Sequence, residues 1–185
     1  MATVIDGSAS VTINSGAVLG ITSGTVNAGG ANPFNNTLSA VDFTGIPSWV
    51  KRITVNFSGV STNGTSIPLL QLGDSGGIEN TGYLGSGSSV FAASACTAVL
   101  QTTGFGIGGG TAATVIFHGA IQITLLDATA NTWCANGVLA RSDAACIFNC
   151  SGAKSLSATL DRIRITTVLG IDTFDAGTIN IMYEG

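Results

Sequence analysis

The sequence predicts an all-β protein, an antiparallel β-sandwich or jelly roll, on three observations. Charged side chains make up only 9% of its 185 residues. Glycine is abundant at 26 residues, with Ser, Thr, Asn, Val and Ile recurring throughout. Apolar and polar residues alternate over several segments of strand length, with turn residues between them. Surface helices would need more Glu, Lys, Arg and Leu than this composition supplies. The length suits one domain around one core. That domain is expected over residues 41–185, behind a Gly/Ser/Thr/Asn-rich arm over residues 1–40.

The clearest strand runs from Val50 to Val60, where Ile53, Val55 and Phe57 alternate with Arg52, Thr54, Asn56 and Ser58. One face is therefore buried and the other wet. Asn63-Gly64 follows, a dipeptide suited to positive φ, and the apolar run resumes over Ile67 to Leu72, which predicts a hairpin. From Ala113 to Leu126, residues Val115, Phe117, Ile121, Ile123 and Leu125 share one parity, and Gly119 fits a bulge. Asp127 to Asn131 supplies a turn, Trp133 to Ala140 the returning strand, and Leu160 to Val168 and Gly177 to Tyr183 two more. The segment Gly85 to Gly110 reads as loops displayed outward. In the arm, short apolar clusters at Val11 to Ile13 and Val18 to Ile21 read as docking segments, ordered by packing on the domain, a neighbouring subunit or another protein.

Composition also bounds function. No stretch approaches the ~20 consecutive apolar residues of a membrane helix, and Met1 to Gly20 shows no basic cluster of the kind that opens a signal peptide. The formal charge is −4. The bases, Lys51, Arg52, Arg141, Lys154, Arg162 and Arg164, do not make the positive footprint of a nucleic-acid binder. Arg162 and Arg164, two apart in a strand-like run, are expected to share one solvent-facing side of a sheet. A chain so poor in charge has little with which to solvate a whole monomer surface, so copies of itself or a partner should cover part of it.

Several motifs invite a chemical reading. Gly73 to Gly77 spells GDSGG, the string around the nucleophile of trypsin-like proteases, but the single histidine, His118, lies downstream of Ser75 rather than upstream. A turn between strands is the favoured reading. Gly104, Gly106 and Gly109 satisfy G-x-G-x-x-G by count, yet the residues that follow are β-branched and strand-like rather than helical, so a glycine-rich loop is expected. Cys96, Cys134, Cys146 and Cys150 read first as free, mostly buried thiols. A small disulfide loop between Cys146 and Cys150 is the second reading, and a zinc site with Cys134 or His118 the third. His118 sits in an apolar run, where a structurally satisfied imidazole is the ordinary case. Asp172 and Asp175 lack the further oxygen donors of a calcium site. Trp49, Trp133, Tyr83 and Tyr183 are dispersed and expected in core or interface packing. No catalytic, cofactor-binding or metal-binding residue is assigned, no cofactor is expected, and the chain reads as a non-enzyme.

Four phrases carry a resemblance: VDFTGIPSWVKRITVNFSGVSTNGTS at Val41 to Ser66, GDSGGIENTGYLGS at Gly73 to Ser86, HGAIQITLLDATANTW at His118 to Trp133, and LSATLDRIRITTVLGIDTFDAGTINIMYEG at Leu156 to Gly185. Together, in this order, they resemble a β-rich module that recurs at the C-terminal ends of tail-fibre-like virion proteins of tailed phages and prophages. The resemblance implies a structural protein of a bacteriophage virion, exposed on the particle surface and assembled in the host cytoplasm. It implies a homotrimer and partners among capsid, tail or fibre-shaft proteins. It further implies attachment to a host cell-surface glycan or protein, with neither nucleic acid nor membrane as partner. About forty residues precede the module, without a long shaft, and this departure also admits a capsid decoration, cement or head-fibre protein. A hydrolase using Ser75 and His118 is the remote alternative.

Overall fold

The computed structural model describes residues 38–92, 96–108 and 112–185, together with the backbone of three short strands nearer the N-terminus. Those three are β1 (Thr12–Ile13), β2 (Ala17–Val18) and β3 (Thr22–Gly24). The domain then runs through β4 (Ala40–Thr44), β5 (Arg52–Thr62), β6 (Pro68–Asp74), β7 (Gly77–Ile78) and β8 (Leu84–Phe91). It continues with β9 (Thr97–Gln101), β10 (Phe105–Gly106), β11 (Phe117–Asp127) and β12 (Thr132–Arg141). The last strands are β13 (Cys146–Ser155), β14 (Arg162–Thr167) and β15 (Phe174–Glu184).

The pairing is antiparallel throughout and forms two main sheets, giving a β-sandwich. The large sheet has the order β3-β15-β5-β11-β12-β13-β8-β9, and the small one β10-β6-β14-β4 with β7 added to β6. Alternation explains the core. The large sheet turns Ile53, Val55 and Phe57 of β5, Ile121 and Ile123 of β11, and Phe148 of β13 inward; the small sheet answers with Phe43, Leu70, Leu72, Ile163 and Ile165. These buried aromatic and branched side chains supply the apolar area that holds the layers together, at about 1.5–3 kcal/mol for each one fully buried. A line of bulges bends the sheet where β15, β5 and β11 lie side by side. Register shifts fall between Phe117 and Gly119 and between Ala176 and Thr178, beside Gly59, Gly119 and Gly177, all at positive φ. A Cβ at Gly177 would strike the backbone of Gly59 and Val60, so this bend requires glycine.

Three expectations need correction. The run after Asn63-Gly64 does not return as a hairpin: β5 belongs to the large sheet and β6 to the small one, and Asn63 instead exchanges hydrogen bonds with the backbone of Thr173. Gly64 is not at positive φ, so the turn that dipeptide favours is not made. Second, Gly85 to Gly110 is not a set of outward loops; its described residues include β8, β9 and β10, and the GFGIGG stretch begins as a buried strand, with Phe105 and Ile107 in the core. Residues 109–111, which include the last fingerprint glycine, lie outside the described residues. Third, the second reading of Cys146 and Cys150, a small disulfide loop, fails, and both are the free, buried thiols of the first reading. Four residues apart on the extended β13, they stand about 13 Å apart along the strand, well beyond the ~7 Å limit for Cα atoms joined by a disulfide.

The arm expected over 1–40 lies mostly outside the described residues. Its last residues already belong to the sandwich, since Leu38 bridges Phe174 and Ala40 opens β4. Farther back, β1 pairs with β2, and β3 pairs with β15 at the edge of the large sheet.

Candidate functional site

The GDSGG turn closes β6 onto β7 and anchors a polar cluster. Asp74 is buried, with one carboxylate oxygen accepting from the Gly76 N–H at 2.8 Å and the other from the Ser157 hydroxyl at 2.7 Å. These bonds, Ser157 first, hold its carboxyl below the usual aspartate range. Glu79 accepts from the Ser157 N–H at 2.7 Å and forms an ion pair with Lys154. Burial pushes the Glu79 carboxyl up, but the hydrogen bonds from Lys154 and Ser157 outweigh it and hold it below its usual value. The Lys154 ammonium also donates to the Ser155 carbonyl at 2.7 Å and lies 5.6 Å from the Tyr83 ring centre. Tyr83, in turn, accepts from the Leu72 N–H at 2.7 Å and donates to the Glu79 carbonyl at 2.9 Å. Burial raises its phenol strongly.

This cluster fastens the β6–β7 turn to the segment between β13 and β14. Its carboxylates are occupied by structural donors, and no imidazole serves Ser75. His118 is engaged in the large sheet, where its Nδ1 accepts from the Gly59 N–H at 3.2 Å and its Nε2 meets the Ser142 hydroxyl at 3.1 Å. The ring spans the β5–β11 bulge. The structure therefore does not assemble Ser75 and His118 into a nucleophile and base.

The remaining candidates serve the scaffold. Asp172 accepts from the Ser66 N–H at 2.7 Å, tying the crossover after β5 to the segment before β15, and Asp175 accepts from the Ser61 hydroxyl, tying the end of β5 to the start of β15. Among the described residues no group of three or more His, Cys, Asp or Glu could hold a metal ion. Cys146 and Cys150 are buried, and burial pushes the Cys150 thiol up to about 11. Trp133 and Tyr83 are in the core, whereas Trp49 packs half-exposed on Tyr183, ring centres 5.8 Å apart. No spacing or pattern in the sequence relates Trp49 to Tyr183.

The two outer faces of the sandwich differ in chemistry. On the small sheet Arg164 makes a two-bond contact to Asp42 at 2.7 Å, and Arg162 pairs with Asp161, so the expected wet side for both arginines is found. On the large sheet an Arg52–Glu184 ion pair joins β5 to β15. From β11 across to β9 the character changes. The stretches 118–124, 134–140, 147–153, 84–90 and 98–100 contain no Asp, Glu, Lys or Arg. Their outward positions are small, amide, hydroxyl or aliphatic, including exposed Leu84, Val90, Leu100, Val138 and Ile147. Sequence reasoning missed this face because β8, β9 and β13 were not recognised as strands.

Comparison with family models, with curated proteins and with solved structures finds no match for this chain.

Proposed function

We propose that this chain is a structural protein of a tailed-bacteriophage virion, a self-associating surface fibre or adhesion component that takes part in host attachment. The observation that carries the reading is the ordered set of four phrases, from Val41 to Gly185, that resembles the β-rich module of tail-fibre-like virion proteins. Three features support it. The phrases fall on the strands that build the sandwich: Val41 to Ser66 spans β4 and β5, and Leu156 to Gly185 spans β14 and β15. The polar groups of the GDSGG turn are tied into the scaffold rather than arranged around a reacting atom. An uncharged sheet face suits assembly with other subunits.

Quantitative mass spectrometry of purified particles from the phage or induced prophage that encodes the chain tests the reading. A few copies per particle, in a fixed ratio to tail proteins, is the expected result. Hundreds of copies would favour capsid decoration instead, and a chain missing from particles while abundant in the lysate would overturn the virion assignment altogether.

A further inference from the structure

We propose that the outer face of β11, β12, β13, β8 and β9 is a self-recognition surface, on which a second copy of this chain packs face to face with its strands reversed. The inference rests on the reading of the chain as a self-associating protein and departs from the homotrimer that the resemblance implies, since a two-fold surface joins copies in pairs.

Charge is the first argument. The chain places ion pairs on the outer face of the small sheet and across β5 and β15, whereas the outward positions of β11, β12, β13, β8 and β9 carry no Asp, Glu, Lys or Arg, and the charged residues of these strands, Asp127, Arg141 and Lys154, stand at or next to strand ends. Such a face offers no counter-charge to a nucleic acid, an anionic membrane or a charged protein segment. What complements it is another flat, uncharged β surface, as the two sheets of a sandwich complement one another at a spacing of about 10 Å. A second copy carries that surface.

Shape then supplies the orientation. Leu84 on β8 and Leu100 on β9 stand 75% and 73% exposed toward one end of the face. At the other end Val90 and Ile147 lie opposite each other in register, and they open into a largely apolar groove of about 440 Å³ lined also by Phe91, Ala144, Ala145 and Arg141, whose guanidinium is already paired with Asp143. Val138 lies between the two ends. A two-fold axis in the plane of the face and perpendicular to the strands exchanges the ends while keeping β8 over β8. Leu84 of each copy then enters the Val90/Ile147 groove of the other, the same contact made twice, as an isologous interface requires.

Size is sufficient. Five strands about 4.8 Å apart and about seven residues deep at ~3.3 Å each give a flat footprint of roughly 500 Å² per copy. Two copies reach the ~1,000 Å² that a specific interface should bury.

The test uses the full chain at tens of micromolar and reads mass by light scattering. Wild type is expected at twice 18.4 kDa or a whole multiple of that mass. The exposed-site variants Leu84→Glu and Val90→Lys should each keep the wild-type melting temperature and lose self-association by at least tenfold. Mixing the two variants should restore the pairing, because the reversed arrangement sets position 84 of one chain against position 90 of the other. A wild-type monomer or trimer, an assembly that neither variant weakens, or variants whose mixture does not pair would each overturn the proposal. A chain found on particles yet monomeric in solution refutes this surface and leaves the virion reading standing. A specific two-fold pair from a chain that no particle contains does the reverse.

Discussion

Replacing Glu79 by Gln tests how the GDSGG turn is held. Lys154 is 5% exposed and its partner Glu79 23% exposed, so the pair lies between a surface ion pair, worth ~0.2–1 kcal/mol, and a fully buried one, whose breakage costs ~3–5 kcal/mol. Glu79→Gln keeps an acceptor for the Ser157 N–H but leaves the Lys154 ammonium without its counter-charge. The expected loss is about 2–4 kcal/mol, or a fall in melting temperature of about 4–16 °C for a chain of this length. The double variant Glu79→Gln/Lys154→Met removes the stranded charge, keeps an unbranched stem beside the Tyr83 ring, and should recover at least half of that loss. The pH dependence has a definite sign. Because the folded Glu79 carboxyl titrates below its ordinary value of 4.5, its stabilisation is fully present above that value and disappears as the pH falls through the lowered one. The gap between wild type and Glu79→Gln should therefore narrow below about pH 4.5. Urea unfolding followed by tryptophan fluorescence at pH 7 and pH 4 reads all three effects. A single variant within ~0.5 kcal/mol of wild type, or a double variant as unstable as the single, would show that the Glu79–Lys154 pair does not hold the turn.

Four further outcomes follow from the same geometry. Gly177→Ala should cost several kcal/mol in urea unfolding, because its Cβ meets the backbone of Gly59 and Val60. Gly45→Ala, also at positive φ but with open space around its Cβ, should cost only the ~1–2 kcal/mol of the left-handed conformation. Tyr83→Phe strands the buried Leu72 N–H and should cost about 1–3 kcal/mol by the same assay. With a thiol reagent at pH 8, Cys96 should label quickly in the native protein, while Cys146 and Cys150 should label only on unfolding, since burial shields both and raises both thiols.

The fold was readable where one side of a strand is wet. Ile53, Val55 and Phe57 against Arg52, Thr54 and Asn56 identify β5, and the spacing of Arg162 and Arg164 gives their shared outer side, because water on one face imposes a period of two. That signal fails on β6, whose residues are all buried: the turn at 102–104 and the segment at 167–170 lie over its outer side, so no alternation remains. It fails differently on β8. There Gly85, Gly87 and Ser89 point inward, and Gly87 lies so close to Gly106 and Gly108 that a side chain would not fit. A strand whose inward residues are the smallest reads as a loop. The polar cluster was hidden for a third reason. Asp74, Glu79, Lys154 and Ser157 are brought together from three strand-end segments, so no spacing in the sequence relates them. Asn63-Gly64 misled because a turn dipeptide states that the chain bends, and only the sheet partner decides whether it returns to the same layer.

We propose that this domain belongs on the surface of a virion. Cryo-electron microscopy of purified particles, with gold-labelled antibodies raised against the folded chain, tests it most directly. Discrete labelling at fixed positions on the outside of intact particles is the expected result. Uniformly unlabelled particles, with the antigen recovered only from the soluble fraction of the lysate, would contradict it.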